Sequence, residues 1–431
     1  MSGTIVSSRF SALLVVVALG VVGSCASASA SPLFSRLPGE PTVERYAPAG
    51  ATLPDGNVLI AGGEGEELLP TAELFNTKTS TFEKLEGATH ELREPREEFS
   101  AVTLHDGHVL LVGGSRTGTS LQTAELFDPQ TNTFELLKSQ LTQARDAPAV
   151  ALLANGSVLI ADGCQHGTCA KTAELYDPAT QTFSTLASSP VAARYYPGAA
   201  TLADGNVLIA GGYPPGPGGP VKTAELFNAK TGKFEALEGA AHEMHEARGE
   251  FSAVTLQDGK VLIPGGDQDG KPIAKVELFN PQTSAFEPAA TELTTERDAP
   301  AVALLPSGRV LIADGCQHLH CEKSAELMSV NPPALAKTAR STRRPHHRFR
   351  INALVEAETN STVYFQYGTS RRYRHRTRAQ AVAGSTSPVS VSALLSGLKA
   401  GKRYHYRVVI ENSIGKLVGR DRTFVVPRRR G

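Results

Sequence analysis

The sequence predicts an all-β chain in which six four-stranded antiparallel sheets close into a ring, with a small β-sandwich after it. Three observations carry this. A block of about 50 residues recurs six times. Each block holds short apolar runs set apart by Gly, Asp and Asn turn residues. Beyond the N-terminus no long apolar stretch has the 3.6-residue period of a helix.

The N-terminus is a separate object. Arg9 precedes an apolar run from Ala12 to Gly23, followed by the small residues Ser24 to Ala30. The run has the length of a signal-peptide core and is too short to span a bilayer. Residues 1–30 are therefore expected to be a signal peptide, cleaved after Ala28 or Ala30. Val22-Gly23-Ser24-Cys25 also resembles a bacterial lipobox, in which Cys25 would carry lipid. Either way the expected location is secreted or cell envelope.

Within residues 31–333 an Arg recurs at Arg45, Arg96, Arg145, Arg194, Arg248 and Arg297. After each comes an apolar strand such as Phe99 to Leu104, then a turn ending in Gly56, Gly107, Gly156, Gly205, Gly259 or Gly308. These Asp-Gly, Asn-Gly and Ser-Gly pairs suit a two-residue hairpin. A Val-Leu-Ile/Leu strand follows and ends in a double glycine, replaced by Asp162-Gly163 and Asp314-Gly315 in the third and sixth blocks. A third strand reads Ala-Glu-Leu-Phe/Tyr in most copies, and a fourth carries Phe82, Phe134, Phe183, Phe234 or Phe286. Four strands per repeat, with the double glycine after the second, resemble the kelch repeat, which implies a six-bladed β-propeller over about residues 34–331. Kelch repeats usually carry Trp on the fourth strand; this chain has no Trp, and Phe takes its place.

Blades 1 and 4 share Gly-Asn-Val-Leu-Ile-Ala-Gly-Gly, and blades 2 and 5 share Glu-Phe-Ser-Ala-Val-Thr-Leu. Blades 3 and 6 share Arg-Asp-Ala-Pro-Ala-Val-Ala-Leu-Leu, so a three-blade unit is duplicated. Blade 6 lacks a fourth strand before Asn331-Pro332-Pro333, while Phe34 to Arg45 parallels Phe183 to Arg194. The segment at Phe34 is therefore expected to close the ring as the outer strand of blade 6, leaving only short, protected edges.

The neutral whole conceals two opposite halves. Residues 334–431 hold 21 Lys and Arg against 4 Asp and Glu, which leaves 22 and 39 for residues 1–333. Residues 334–349 read as a basic linker. Over 350–431, Val363 to Tyr367 alternates like a strand. Leu398 to Val409, with Tyr404 and Tyr406, resembles the tyrosine-corner strand of fibronectin type III domains.

Two Cys-Gln-His-x-x-Cys spacings, Cys164/Cys169 and Cys316/Cys321, read as local disulfides in an exported chain. Meander topology sets the six repeat Arg at the mouth of the propeller channel, the usual ligand site of kelch propellers, interleaved with Glu97, Glu98, Asp146, Glu250 and Asp298. A residue present in every blade also suits a purely structural tie between strands. His90, His166, His242, His245, His318 and His320 map to loops on the same side, but their spacing matches no zinc motif, and neither a metal nor a cofactor is expected. The kelch resemblance extends to the galactose oxidase superfamily, whose copper-radical chemistry needs an unpaired Cys crosslinked to Tyr; here each Cys after Cys25 has a local partner. No Ser/His/Asp set, phosphate loop or pair of catalytic carboxylates is evident. The reading is an exported, monomeric, non-catalytic binding or adhesion protein. Its propeller would meet an extracellular protein or glycan, and its basic module an anionic envelope polymer or lipid. Nucleic acid is not the expected partner. A carbohydrate-active enzyme is the alternative.

Overall fold

The computed structural model describes residues 33–431 except 166–167, 290, 318–319, 322, 330–334, 346–347, 358–360, 384, 412–415 and 429–431. The expected signal peptide, with Cys25, lies outside the described residues, as do His166 and His318.

Six four-stranded antiparallel sheets form the blades. Their inner strands are Ala49–Thr52, Ser100–Thr103, Ala149–Leu152, Gly198–Thr201, Val254–Thr255 and Ala301–Leu304. Each packs on the next and the last packs on the first, closing the ring. The second strands, such as Val58–Ala61 and Val158–Ala161, are buried along their whole length, because both faces meet a neighbouring blade. The outer strand of blade 6 is Leu33–Arg36, paired antiparallel with Ala325–Ser329 so that Phe34 faces Met328. The N-terminal closure read from the Phe34 parallel is thus the observed one.

On the third and fourth strands an aromatic pair spans each of blades 1 to 5. Phe75–Phe82, Phe127–Phe134, Tyr176–Phe183, Phe227–Phe234 and Phe279–Phe286 have ring centroids 4.8–4.9 Å apart. Tilted rings at that separation are a favourable arrangement, so the fourth-strand Phe packs against the third strand without a Trp.

The turn between the first and second strands differs from the expected two-residue hairpin. Leu53 N bonds Asn57 O and Gly56 N bonds Leu53 O, which makes a three-residue loop, and all six copies share the Leu-to-x bond. Only the glycine has positive φ, 89° at Gly56. Asp55 instead accepts from Asn57 N through Oδ1 at 2.9 Å. The Asp-Gly pair serves a type I turn followed by a left-handed Gly, which carries the same residues as the shorter turn.

Two sets of bonds stitch blade to blade. The amides of Gly63, Gly114, Gly163, Gly212, Gly266 and Gly315 donate to the carbonyls of Arg96, Arg145, Arg194, Arg248, Arg297 and Arg45, at 2.8–3.1 Å. The preceding Gly62 has φ 63°, and a Cβ there would stand 2.7 Å from Arg96 O; this close approach is why the repeat wants glycine. Nearer the axis, Oγ1 of Thr52, Thr103, Thr201 and Thr255 donates to the carbonyls of Leu304, Thr52, Leu152 and Thr201 at 2.6–2.7 Å. Blades 3 and 6 have Leu152 and Leu304 at that position, and there Ser100 and Ser252 bond Pro148 O and Pro300 O instead. Every interface keeps a hydroxyl stitch, and the pattern repeats after three blades.

The C-terminal residues form two facing sheets around one core that includes Phe349, Ile351, Val355, Val363, Phe365, Tyr406, Val408 and Phe424. The expected basic linker over 334–349 is not a linker. Leu335–Thr338 and Thr342–Arg344 are strands paired with Arg348–Ala357. Thr338 is buried and accepts from Val408 N through Oγ1, and Tyr406 donates to Ala339 O at 2.7 Å. The charge count hid the alternation of Leu335-Ala336-Lys337-Thr338. Tyr404 accepts from Lys399 N at 3.1 Å, which ties this strand to the turn before it.

Candidate functional site

The six repeat arginines do not line the mouth. Arg45, Arg96, Arg145, Arg194, Arg248 and Arg297 are at most 3% exposed. Each is paired within its own blade to the Glu of the Ala/Val-Glu-Leu strand: Glu73, Glu125, Glu174, Glu225, Glu277 and Glu326, at 2.9–3.3 Å. In blade 3, Arg145 also donates to Asp162 O at 2.6 Å, Thr172 O at 3.1 Å and Thr172 Oγ1 at 2.8 Å. The second oxygen of Glu174 accepts from Thr142 N at 2.7 Å. With Nε and both terminal nitrogens of Arg145 all bonded inside the blade, this guanidinium has no donor left for a ligand, and the buried repeat Arg ties the crossing loop to two strands. The carboxylate partner was visible as a Glu recurring about 29 residues after each Arg, and it marks the pair as structural.

The mouth is built from the two residues after each Arg. The second of these, Ala47, Glu98, Ala147, Tyr196, Glu250 and Ala299, has φ between 43° and 56° in every blade. That left-handed turn aims its side chain at the axis, and the six together narrow the channel to a void of about 60 Å³. Below them the channel widens to about 770 Å³, walled by the small residues of the inner strands, with His105 and Asp204 at its far end.

Tyrosines and carboxylates close the mouth. Tyr46 donates to Glu250 at 3.0 Å and lies 3.3 Å from the Tyr196 hydroxyl. Tyr195 donates to Glu98 at 2.7 Å. Tyr213 bonds Asp267. Two wells flank this closure. One, about 450 Å³, is walled by Asp146, Cys164, Cys169, Tyr195, Tyr213 and Glu250. The other, about 590 Å³, is walled by Tyr46, Glu64, Glu250, Asp267, Asp298, Cys316 and Cys321. Both disulfides are present, Cys164–Cys169 and Cys316–Cys321. They belong to an oxidising, extracellular setting.

No Lys, Arg or His is among the described residues lining the narrowing or the two wells. The electrostatic consequence is large. Burial, and then Asp298, pushes Glu250 up to about 8. Burial, and then Glu98 and Glu64, pushes Glu97 up to about 8. Burial also raises the phenols of Tyr46, Tyr195, Tyr196 and Tyr213, with carboxylate neighbours adding to it. Near neutral pH the mouth thus presents the protonated carboxyl groups of Glu250 and Glu97 and neutral phenols among further carboxyl oxygens, an acceptor-rich lining with donors in it.

Of the acids named beside the arginines, Glu98, Asp146, Glu250 and Asp298 line these cavities, and Glu97 interacts with Glu98 and Asp146. Sequence reasoning missed Tyr46, Tyr195, Tyr196, Tyr213, Glu64 and Asp267. The signal was their place directly after a repeat Arg or a double glycine, where the repeats disagree with one another. The histidines take another part. His90 and His242 donate from Nδ1 to Asn132 O and Ser284 O, at 2.7 and 2.6 Å, docking each crossing loop on the next blade's outer strand. His245 is half exposed beside Glu277. Among the described residues no three His, Cys, Asp or Glu groups converge as metal ligands would.

Comparison with known proteins bears on the fold. The kelch motif model matches residues 99–139. The solved structure titled "Structure of YjhT" superposes at a TM-score of 0.55 with 14% identity, covering 68% of this chain and 96% of that one. No curated protein matches. The fold is that of a kelch-type β-propeller, and a fold of this kind hosts both binding proteins and enzymes.

Proposed function

We propose that this chain is an exported, non-catalytic binding protein made of a six-bladed kelch propeller and a basic module similar to fibronectin type III domains. The propeller mouth takes a ligand rich in hydroxyl or amine donors, on a glycan or a protein, and the basic module holds an anionic surface of the cell envelope. The observation that carries this reading is the mouth itself: tyrosines and carboxylates with no cation among the described lining residues. Phenol rings offer stacking faces and carboxylates offer acceptors, the combination that sugars and protonated amines require. A glycan and surface-protein array probed with the full chain tests it. Binding that Tyr46→Phe and Glu250→Gln weaken at least tenfold supports the mouth; binding indifferent to both moves the site elsewhere.

One observation favours a second reading. A carboxyl raised to about 8 at Glu250, close to the ionisable Glu98, Asp267 and Asp298, is the pairing by which glycoside-cleaving enzymes hold an acid next to a base. Turnover of a polysaccharide panel, lost in Glu250→Gln, supports an enzyme; an inert chain that still binds supports the first reading.

A further inference from the structure

The hairpin formed by Thr342–Arg344 and the start of Arg348–Ala357 sets cations directly opposite one another. Arg344 pairs with Arg348 in register, and Thr342 pairs with Arg350. Like charges directly opposite on paired strands repel and lower stability. Among the described residues no carboxylate forms an ion pair with Arg343, Arg344, Arg348 or Arg350. Arg348 instead donates to a backbone carbonyl, Pro345 O, at 3.3 Å. The acid on the same face of that strand is Glu356, six residues beyond Arg350 and so roughly 20 Å away.

The next strand over places Leu394 beside Arg350 in register. Leu394 is 47% exposed, one of the few large apolar side chains that the chain leaves in solvent. Phe349, Ile351 and Ala353 point into the core, so Arg348 and Arg350 share the outward face with Leu394. We infer that this face of the hairpin, Arg344, Arg348 and Arg350 around Leu394, docks on the headgroups of an anionic phospholipid surface. The inference rests on the proposed role of the basic module and names its contact and its lipid partner. Directly opposed strand residues have Cβ atoms about 5 Å apart, so two guanidinium groups can share one phosphate and turn repulsion into a bridge. A soluble polyanion would use the arginines alone. Leu394 distinguishes a bilayer, where an apolar side chain among cations enters the headgroup–acyl boundary.

The test is vesicle flotation of the full chain with Cys25→Ser, so that no attached lipid contributes. The probes are phosphatidylcholine vesicles with and without phosphatidylglycerol, and soluble polyphosphate. The chain is expected to float only with phosphatidylglycerol and to be released by high salt. Replacing Arg344, Arg348 and Arg350 together by Ala should weaken binding about a hundredfold, at one surface contact per cation. Replacing the exposed Arg372, Arg374 and Arg378 should cost only a few-fold. Leu394→Ser should weaken vesicle binding about tenfold and leave polyphosphate binding unchanged. Equal losses from the two triple replacements would overturn the assigned face while leaving the basic module's role standing. Polyphosphate binding as tight as vesicle binding, with Leu394→Ser silent, would replace the bilayer by a polymer. A chain that binds none of the anionic probes would sink both the face and the proposed role.

Discussion

Tyr46 reaches across the propeller mouth from blade 1 to bond Glu250 of blade 5, and Tyr195 of blade 4 does the same to Glu98 of blade 2. The two clamps are related by the three-blade duplication, which carries blade 1 onto blade 4 and blade 5 onto blade 2. Tyr196 breaks the symmetry, since its counterpart in blade 1 is Ala47: its hydroxyl lies 3.3 Å from that of Tyr46, and its ring packs on Tyr195 with centroids 4.2 Å apart.

The mouth should make stability fall as pH rises. Glu250 and Glu97 titrate near 8 in the folded chain, against 4.5 for an unperturbed glutamate. An acid whose pKa is higher folded than unfolded holds its proton more tightly in the native state. Its contribution is complete below about pH 4.5 and is lost as pH climbs through 8. Thermal melts between pH 5 and 9 should show a Tm decline that flattens in Glu250→Gln and Glu97→Gln. A variant that retains the full decline would place its origin elsewhere.

The Arg–Glu ties should behave as buried ion pairs. Arg145→Ala leaves Glu174 in a closed interior without its cation, which costs about 3–5 kcal/mol. Arg145→Met with Glu174→Leu removes both charges and should cost much less than the two single changes summed. Denaturant unfolding of the three variants measures this. A single replacement that left stability untouched would free the arginine for a role at the mouth.

Most of the ring was legible because the repeat restates its own rules. Six copies of an apolar run, a Gly turn and a double glycine define the strands, and Phe34 at the spacing of Phe183 announced the missing fourth strand. The site was less legible for the same reason. The eye goes to what recurs, and the recurring Arg45 to Arg297 series proved to be architecture, while the chemistry lies in the residues that vary after it. In the C-terminal module, net charge drew attention from Thr338, a single buried hydroxyl that makes residues 335–338 part of the fold. The turn length could not be read either, because Asp-Gly suits both a two-residue loop and the three-residue loop adopted.

Ring closure should be an energetic keystone. Phe34 is 7% exposed, faces Met328 and packs in a cluster with Val310 and Ile312. Phe34→Ala should cost about 3–5 kcal/mol. Removing residues 31–40 should do more, because it bares the edge of the strand Ala325–Ser329 to pairing with another chain. Melting and light scattering of the truncated chain would register a lower Tm and association; an unchanged Tm would deny the strand its closing role.

Asp162 and Asp314 should be destabilising where they stand. Each occupies the position that is Gly62, Gly113, Gly211 or Gly265 in the other blades, and each keeps the same left-handed backbone, φ 58° against 63–68°. Both are fully buried. Burial, and then Glu225 or Glu73, holds their carboxyl groups well above the usual carboxylate range. The neighbouring arginines, Arg145 and Arg194 around Asp162, are already matched by Glu174 and Glu225. A further ionised carboxylate therefore has no uncompensated cation to meet, and the native state favours the neutral acid. In the unfolded chain the same groups ionise near pH 4, so the native state is progressively penalised as pH rises above that value. Replacement by Gly removes the carboxyl and suits the left-handed φ, and replacement by Asn removes the charge at nearly the same size. Asp162→Gly and Asp314→Gly should each raise Tm at pH 7 to 8 and gain little at pH 4, where the unfolded acid is itself half protonated. Asn at either position should give a smaller gain with the same pH dependence. Gains of equal size at both pH values would assign the effect to backbone strain alone, and a loss at neutral pH would mean that the carboxyl groups support the blade interface.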